Sequence, residues 1–452
     1  MDRTTQKLAS YVASLTFEDL PATTVHQAKR RLIDSIGCAI GGYDSEPARI
    51  ARALAAEASS TPAGRILGSG ASTSIEMAAF ANTCAIRYLD CNDTFISIGS
   101  GHPSDMMGAL LAVAEARGCS GRDALLAIVI AYEVFTAFAD AVPLRDLGWD
   151  QGVFVVAGAA AGAAKLLGLS EAQAADAIAI AITANIPTRQ TRAGELAMWK
   201  GVATAAAARS GVFAALLAEK GMTGPTAAFE GKNGLWEQVT RPFELRALGG
   251  KGTPGGIERT NLKFFPSEYH SQAPLFIALG LRERVRVEDI EAIDVQTYWT
   301  AYSEIGSEPE KWSPRTRETA DHSLPYLLAL GFIEGRVGAD SFSDERIADA
   351  RVNALMHRIR IAHNESYTAE FPGKLMTRIE VTTRGGERLV GEASYPKGHA
   401  KNPMSDADVE AKLAGLCAGL MEEGARKAMV EALWAVDSAA SVADVLARVR
   451  VV

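Results

Sequence analysis

The feature that most limits the fold is a series of alanine-rich apolar segments that fills the first 230 residues. Apolar residues recur at helical spacing, as in GVFVVAGAAAGAAKLLGL at 152–169. Six segments are predicted as helices: 73–90, 104–117, 122–140, 152–168, 170–185 and 198–219. Because alanine and glycine have small side chains, such helices pack closely, and several layers must stack to exclude water. The sequence therefore predicts a large helical domain.

The chain changes character near residue 235. Alternating apolar runs predict strands at 290–299, 358–364 and 375–396, the last one a hairpin around Arg384–Gly385–Gly386. Further helices are predicted at 270–282, 316–333, 343–357, 405–421, 424–436 and 440–449. We expect a two-domain protein, with an all-α helical domain formed by 1–260 and 404–452 and a smaller α+β domain formed by 261–403.

Charge and cysteine content exclude several classes of protein. With 46 basic and 54 acidic residues the net charge is −8, which gives no general attraction to nucleic acid or to an anionic membrane. The five cysteines form no CxxC pair, so we expect reduced thiols and a cytoplasmic location. The N-terminal residues lack the apolar core of a secretory signal. The apolar run at 124–138 is too short for a membrane span and contains Glu133, which predicts a buried core helix.

Common cofactor and nucleophile motifs are absent. The chain has no GxGxxG after a strand, no GxxxxGK[ST], no GxSxG and no HExxH. The loop GGKGTPGG at 249–256 has the wrong lysine spacing for a phosphate loop. No two histidines have the short spacing of zinc ligands, and no aspartate-rich calcium loop is present. We therefore expect an enzyme that uses no metal and no other cofactor.

The first polar interruption of the apolar helices is RYLDCNDTFISIGSGHPSDMMGALLA at 87–112. Asp90, Asn92 and Asp93 end one helix, and His102 stands just before Pro103–Ser104, which favour a helix start. A histidine at this point can transfer protons near neutral pH. The structural alternative is that the carboxylates and Ser104 only cap helix ends while His102 lies at the surface.

The second interruption is NIPTRQTRAGELAMWKG at 185–201, which contains Arg189, Arg192 and Lys200. Arginine binds carboxylates in a bidentate manner, and lysine offers a compact charge or a proton. The alternative is a solvated loop with ordinary surface cations.

Three further segments carry histidines with cationic or aromatic neighbours. Lys263 and His270 flank an aromatic, proline-containing turn at 261–278. His322 and Tyr326 are spaced i, i+4 in a helix predicted at 316–333. The loop at 395–403 holds Lys397, His399 and Lys401. A structural role is as good an explanation for each segment alone, but together they are typical of a site for a polyanion.

These segments resemble the MmgE/PrpD family, which includes 2-methylcitrate dehydratase, cis-aconitate decarboxylase and iminodisuccinate epimerase. The resemblance extends from RRLIDSIGCAIGG at 30–42 to YPKGHAKNP at 395–403. Its most specific motif is LDCNDT with GHPSD, at 89–94 and 101–105. LKFFPSEYHSQ and ADHSLPYLLA, at 262–272 and 320–329, add to it. The resemblance implies a large helical domain, a smaller α+β domain and an active site built without metal.

The resemblance also assigns site residues, one position at a time. Those that match the family's motifs are Asp90, Thr94, His102, Lys200, Lys263, Tyr326, Arg189 and Arg192. Where many members have a histidine after a glycine–aromatic pair, this chain has Asp150, which resembles the dehydratase branch and makes decarboxylation less favoured. The stretch between Arg192 and Lys200 differs from those dehydratases, which leaves the substrate open.

The expected reaction is the dehydration of 2-methylcitrate or a related tricarboxylic acid. We predict that His102, supported by Asp90, transfers protons with Lys200 or Tyr326 as its counterpart, and that His270 is a further candidate. Arg189, Arg192 and Lys263 are predicted to bind carboxylates, together with Thr94, Asp150 and His322. We expect Asp90, His102, Lys200 and Lys263 to line one cleft.

Three other readings stay open. Decarboxylation or epimerisation of a related acid would use the same carbanion-like state, and a non-catalytic helical binding protein would show no turnover. The only partner expected besides the substrate is a second copy of the chain in a homodimer, which the resemblance implies.

Overall fold

The computed structural model describes all 452 residues. They form two compact units: unit 1 contains 1–191, 201–262 and 405–452, and unit 2 contains 192–200 and 263–404. The chain therefore passes twice into unit 2. The predicted helical domain included 192–200, which the structure groups with unit 2 instead, because Leu196 is hydrogen-bonded to Thr316 and Thr319 there.

Unit 1 is helical, as the sequence predicted. Its helices are α1 (Arg3–Ser14), α2 (Ala22–Gly41), α3 (Glu46–Ala55), α4 (Ile75–Tyr88), α5 (Met107–Ala116), α6 (Gly121–Ala141), α7 (Gly152–Leu166), α8 (Glu171–Ala184) and α9 (Ala203–Glu219), followed near the C-terminus by α17 (Asp406–Leu416), α18 (Glu423–Trp434) and α19 (Val442–Leu446). Two short antiparallel pairs accompany them, β1 (Gly64–Arg65) with β2 (Ser72–Thr73) and β3 (Phe95–Ile96) with β4 (Ser100–Gly101).

Small residues let the helices of unit 1 approach closely. A Cβ added at Gly158 would lie 2.8 Å from the carbonyl oxygen of Ala131, and one at Gly162 would lie 3.0 Å from that of Ala127. Both contacts join α7 to α6, so this GxxxG is a helix-packing motif. A Cβ at Gly211 would lie 2.7 Å from the Val156 carbonyl oxygen, which joins α9 to α7 in the same way.

Helix α6 contains a buried acidic residue. The helix is long and apolar enough to span a membrane, but 89% of its most apolar window is buried inside the protein, as in a core helix. Glu133 is fully buried and pairs with Arg246. Its carboxylate also accepts hydrogen bonds from the backbone nitrogens of Gly249, at 2.8 Å, and Gly256, at 2.5 Å. The glycine-rich loop at 249–256 thus folds around a carboxylate of the protein itself.

Unit 2 is an α+β domain, which confirms the predicted fold class. Its four-stranded sheet contains β5 (Ile290–Thr297), β6 (Ile359–His363), β7 (Thr377–Thr383) and β8 (Arg388–Ala393), in the order β6-β5-β7-β8. Strands β5 and β6 are parallel and the other pairs are antiparallel. The helices are α10 (Gln272–Arg282), α11 (Trp299–Ile305), α12 (Arg317–Ala320), α13 (Leu324–Glu334), α14 (Asp344–Ile347), α15 (Ala350–Met356) and α16 (Glu365–Glu370).

Two predicted helices of unit 2 are broken: 343–357 divides into α14 and α15, and 316–333 divides into α12 and α13. The helix predicted at 316–333 ends at Ala320, and α13 begins at Leu324. The Ser323 hydroxyl caps α13 by accepting from the backbone nitrogen of Tyr326, and Pro325 occupies the first turn. Residues 321–323 form a turn between the two helices. His322 therefore precedes the helix, and the prediction that it shares a helical face with Tyr326 is wrong.

Candidate active site

The loop that follows α4 places four polar side chains in the interior of unit 1: Asp90, Asn92, Asp93 and Thr94. Asp90 has a left-handed backbone, with φ of 52°, which is uncommon for a residue other than glycine. Its carboxylate accepts from Arg87 Nη1 at 2.8 Å, and Arg87 Nε lies 3.6 Å from Asp105 Oδ2. All three side chains are at most 1% exposed. A strained backbone beside buried charges is typical of a functional site.

Hydrogen bonds join this loop to the start of the next helical segment. Asn92 Nδ2 donates to Ser104 Oγ at 2.7 Å and to Asp105 Oδ1 at 2.8 Å. Asp93 Oδ1 accepts from the Ser104 backbone nitrogen at 3.0 Å and from its hydroxyl at 2.5 Å. Ser104 belongs to the 3₁₀ helix Pro103–Met106, which leads into α5. The predicted capping function is thus correct for Asp93.

His102 is held by its backbone and by one ring nitrogen. The backbone nitrogen donates to Gln151 Oε1 at 2.5 Å, and Nδ1 lies 2.7 Å from the Asp93 carbonyl oxygen. Because a carbonyl oxygen can only accept, Nδ1 carries a proton, and Nε2 is the nitrogen that gains or loses one. The group that orients the ring at Nδ1 is therefore the Asp93 carbonyl, where the sequence analysis expected the Asp90 carboxylate.

Burial affects the acid next to His102. Desolvation raises the pKa of Asp93 above its usual value, although the hydrogen bonds from Ser104 and the charge of Arg31 oppose the change. Desolvation also raises the pKa of Tyr132, and the neighbouring Asp93 carboxylate adds to that effect. Asp93 and Tyr132, both fully buried, therefore lie in a water-poor environment in which fixed charges act strongly, beside the partly buried His102.

Thr94 closes the loop. Its hydroxyl donates to the Gly101 carbonyl oxygen at 3.1 Å. Its backbone pairs with Asn261 through hydrogen bonds of 2.8 and 2.7 Å. The side chain is 2% exposed, so its observed function is to fix the loop, and its predicted contact with substrate stays a prediction.

Two further predicted residues of unit 1, Asp150 and Arg189, lie on two segments whose backbones are hydrogen-bonded to each other. The Asp150 backbone nitrogen donates to the Pro187 carbonyl oxygen at 2.9 Å, and that of Arg189 donates to the Gly148 carbonyl oxygen at 2.9 Å. The Asp150 side chain is fully buried and accepts from the Gly152 backbone nitrogen at 3.1 Å, at the start of α7. Asp150 and Arg189 are thus brought to one part of unit 1.

Unit 2 has a compact ionic group at the turn between α12 and α13. Lys200 Nζ lies 3.4 Å from Asp321 Oδ1 and 3.1 Å from His322 Nδ1. His322 Nδ1 lies 2.5 Å from Asp321 Oδ1. Lys200 is 2% exposed and Asp321 is 1% exposed. A buried ammonium group beside a carboxylate and an imidazole can deliver a proton or stabilise negative charge.

Lys263 and His270 are also buried in unit 2, where they are 0% and 7% exposed. His270 Nδ1 is hydrogen-bonded to the Tyr298 hydroxyl, and its ring lies edge-on to those of Tyr298 and Phe371. Arg192 is only partly buried and starts the segment 192–200. A fully buried lysine is rare unless it is paired with a polar or charged group, and Lys263 stays among the candidates.

Two of the predicted side chains, Tyr326 and His399, make contacts that stabilise the structure of unit 2. Tyr326 is fully buried in the apolar core of unit 2, and its hydroxyl donates to the Ser341 carbonyl oxygen at 2.6 Å. We therefore remove Tyr326 as a counterpart of His102. His399 accepts from the Lys401 backbone nitrogen at 3.0 Å, and its ring packs in a tilted arrangement against that of Tyr395, with the centroids 4.8 Å apart, which stabilises its own loop.

Three residues with contacts in these polar groups were not predicted from the sequence: Asp321, Arg87 and Gln151. Asp321 is adjacent to His322 in the motif ADHSLPYLLA at 320–329, which is a signal that could have identified it. Arg87 lies three residues before Asp90, an ion-pair spacing on a helix. Gln151 is 49 residues from His102, and nothing in the sequence connects them.

Comparison with known proteins decides the family. The MmgE/PrpD N-terminal domain matches residues 6–248, and the MmgE/PrpD C-terminal domain matches residues 265–436. The chain belongs to the MmgE/PrpD family. The matched ranges include each of the site residues described above except Lys263, which lies between them.

Relatives of this MmgE/PrpD protein carry related names. It is 27% identical to the mitochondrial 2-methylcitrate dehydratase of Yarrowia lipolytica, over 88% of this chain and 80% of the relative. It is 26% identical to the 2-methylcitrate dehydratase of Escherichia coli, over 88% and 86%. A fungal alkylcitrate dehydratase is 30% identical, over 91% and 86%. Dehydratases are hydro-lyases, so this MmgE/PrpD protein is an enzyme of the lyase class.

Proposed function

We propose that the protein removes water from 2-methylcitrate or a related tricarboxylic acid and that it does so without a metal ion. The observation that carries the proposal is the 2.7 Å contact between His102 Nδ1 and the Asp93 carbonyl oxygen. Because the carbonyl can only accept, this contact assigns a proton to Nδ1 and leaves Nε2 for proton transfer. The names of the relatives support the choice of substrate class. The buried cations Lys200 and Lys263 of unit 2 support binding of an acid with several carboxylates.

The proposed reaction needs two proton transfers. A base removes the proton on the carbon next to a carboxylate, and the electron pair is held as an enolate-like anion. An acid then protonates the departing hydroxyl group, the carbon–oxygen bond breaks, and an alkene and water form. We assign His102 to one transfer and Lys200, held by Asp321, to the other. The reaction balances whether His102 is the base and Lys200 the acid or the reverse.

Binding and charge stabilisation are assigned to the remaining cations. Arg189 and Arg192 bind carboxylates that do not react, because guanidinium forks suit that geometry. Lys263 stabilises the charge that develops on the reacting carboxylate, since its burial makes the interaction strong. Asp150, Thr94, His270 and His322 are assigned to hold these groups and the substrate in position.

The test is a panel assay on purified, chelator-treated protein with 2-methylcitrate, citrate and cis-aconitate. Dehydration creates a conjugated double bond, which is followed by ultraviolet absorbance. We expect turnover of at least one hydroxy acid after chelation. A protein that loses all turnover and regains it with added iron would contradict the metal-free chemistry, and a protein inactive on every acid would contradict the proposal.

Decarboxylation of an aconitate-type acid is the second candidate. A cis-aconitate decarboxylase-like protein of Aspergillus oryzae is 27% identical over 98% of this chain. Carbon dioxide release from cis-aconitate in the same panel would identify this activity. Epimerisation would change optical rotation without forming a double bond.

We further propose that the enzyme is a cytoplasmic homodimer that binds neither nucleic acid nor membrane. Its five cysteines are all free thiols, which suits a reducing compartment. Light scattering coupled to gel filtration would test the dimer, and a monomer mass would contradict it.

A further inference from the structure

Lys412 of α17 is a buried cation inside unit 1 that the proposed reaction does not use. Its side chain is 5% exposed. Its Nζ lies 2.5 Å from Asp34 Oδ1 on α2 and 2.6 Å from the carbonyl oxygen of Cys91. Burial lowers the pKa of Lys412, but the Asp34 carboxylate outweighs that effect, so the net pKa lies above the ordinary value and the side chain is charged.

The carbonyl group that Lys412 binds belongs to the candidate site loop. Cys91 stands between Asp90, whose backbone is left-handed, and Asn92, whose side chain binds Ser104 and Asp105. The Cys91 carbonyl is part of the peptide plane that joins Cys91 to Asn92. A hydrogen bond to that oxygen therefore fixes the orientation of the backbone on both sides of the loop.

Asp34 and the packing of α17 on α2 hold Lys412 in place. A Cβ added at Gly37 would lie 3.2 Å from the Leu413 Cα, so the two helices are in close contact one residue from Lys412. The second carboxylate oxygen of Asp34 is buried without a hydrogen-bond partner. The ion pair with Lys412 is thus the main compensation for burying the Asp34 charge.

We propose that Lys412 is a positioning residue for the dehydration: it holds the Cys91 carbonyl and thereby fixes Asp90 and, through the Asp93 carbonyl, the imidazole of His102. Its kinetic consequence rests on the proposed function, whereas its effect on the loop does not. The C-terminal segment thereby becomes part of the support of the candidate site.

The experiment compares Lys412→Met with wild type by hydrogen–deuterium exchange and by steady-state kinetics on 2-methylcitrate. The exchange readout covers residues 88–94, where the backbone nitrogens of Asp90 and Thr94 are hydrogen-bonded. The control is Lys427→Met, which removes an exposed lysine of α18 that is paired with Glu423 at 2.6 Å. Lys412→Arg tests rescue by a second cation.

We expect faster exchange in 88–94 and a kcat lowered at least about tenfold, with KM changed less than about threefold, because a displaced acid–base group reduces the rate more than binding. Lys427→Met should match wild type, and Lys412→Arg should recover part of kcat. Unchanged exchange in 88–94, or an equal rise throughout unit 1, would overturn the proposal.

Folding failure and failure of the proposed function are separated by two further comparisons. If Lys412→Met does not fold, the double variant Asp34→Asn/Lys412→Met removes both charges and is measured by exchange in the same way. If wild type turns over none of the acids, the dehydratase proposal fails, while the exchange result still decides whether Lys412 holds the loop.

Discussion

Two substitutions of His102 distinguish the functions of its two ring nitrogens. The side-chain amide nitrogen of asparagine occupies the position of Nδ1, so His102→Asn keeps the donor for the Asp93 carbonyl and removes Nε2. Glutamine places its amide near the position of Nε2 and loses the link to Asp93. Since Nδ1 lies 2.7 Å from that carbonyl oxygen, the asparagine variant retains the observed hydrogen bond.

The expected size of the effect follows from the function assigned to Nε2. General acid–base catalysis contributes about 10²–10⁴-fold, which is about 3–5 kcal/mol of activation free energy. The retained hydrogen bond contributes about 1 kcal/mol to stability, so the free energy of unfolding should change by less than that. We therefore expect His102→Asn to lower kcat by about 10²–10⁴ with little change in KM or stability.

The assay is the initial rate of double-bond formation from 2-methylcitrate as a function of pH, with unfolding followed in parallel. His357→Asn is the control, because that histidine is exposed at the C-terminal end of α15. His102→Asn should also lose the part of the pH–rate profile that depends on the imidazole. A variant that keeps more than about a tenth of the wild-type kcat with the same profile would refute the assignment.

Three other predictions concern single buried groups. Asp321→Asn should lower kcat at least about tenfold, because Lys200 loses its carboxylate partner 3.4 Å away. The measurement is the same rate assay, and an unchanged rate would contradict the function assigned to Asp321. Glu133→Gln should lower the free energy of unfolding by about 3 kcal/mol, measured by urea unfolding, because this fully buried side chain loses its ion pair with the partly exposed Arg246. An unchanged midpoint would contradict this. Burial lowers the pKa of His399 from 6.5 to about 4, and the charge of Lys401 adds to this effect. The folded protein therefore has its full stability from neutral His399 above pH 6.5 and loses that stability as the pH falls towards 4. His399→Asn keeps an acceptor for the Lys401 backbone nitrogen and should flatten that loss between about pH 7 and pH 5 in thermal unfolding; an unchanged slope would contradict it.

The sequence predicts elements with strong periodicity well. Helix α6, predicted at 122–140, spans Gly121–Ala141, and the hairpin predicted around Arg384–Gly385–Gly386 joins β7 to β8. The break before α13 was missed because the apolar spacing continues through it. A serine followed two residues later by proline is a helix-start signal, and it would have placed the boundary at Ser323.

The candidate site was predicted at the level of segments but not of contacts. The polar run around His102 indicated a proton-transfer group, and the structure places its ring, partly buried, beside the Asp93 carbonyl. Three features could not be predicted from the sequence: the left-handed backbone of Asp90, the core position of Tyr326, and the hydrogen bond from Lys412 to the Cys91 carbonyl across 321 residues of sequence. Each of these is fixed by tertiary packing, which overrides local propensity.

Unit 1 contains residues on both sides of the main part of unit 2 in the sequence, 1–191 and 201–262 before it and 405–452 after it. On the ribosome, α2 and the loop at 89–94 emerge before unit 2 and remain without Lys412 until α17 has been translated, 321 residues after Cys91. A nascent chain stalled after Met404 would expose the Asp34 carboxylate and the groove at Gly37 that Leu413 later fills. The loop at 89–94 thus receives the cation that binds its Cys91 carbonyl only after unit 2 has been translated.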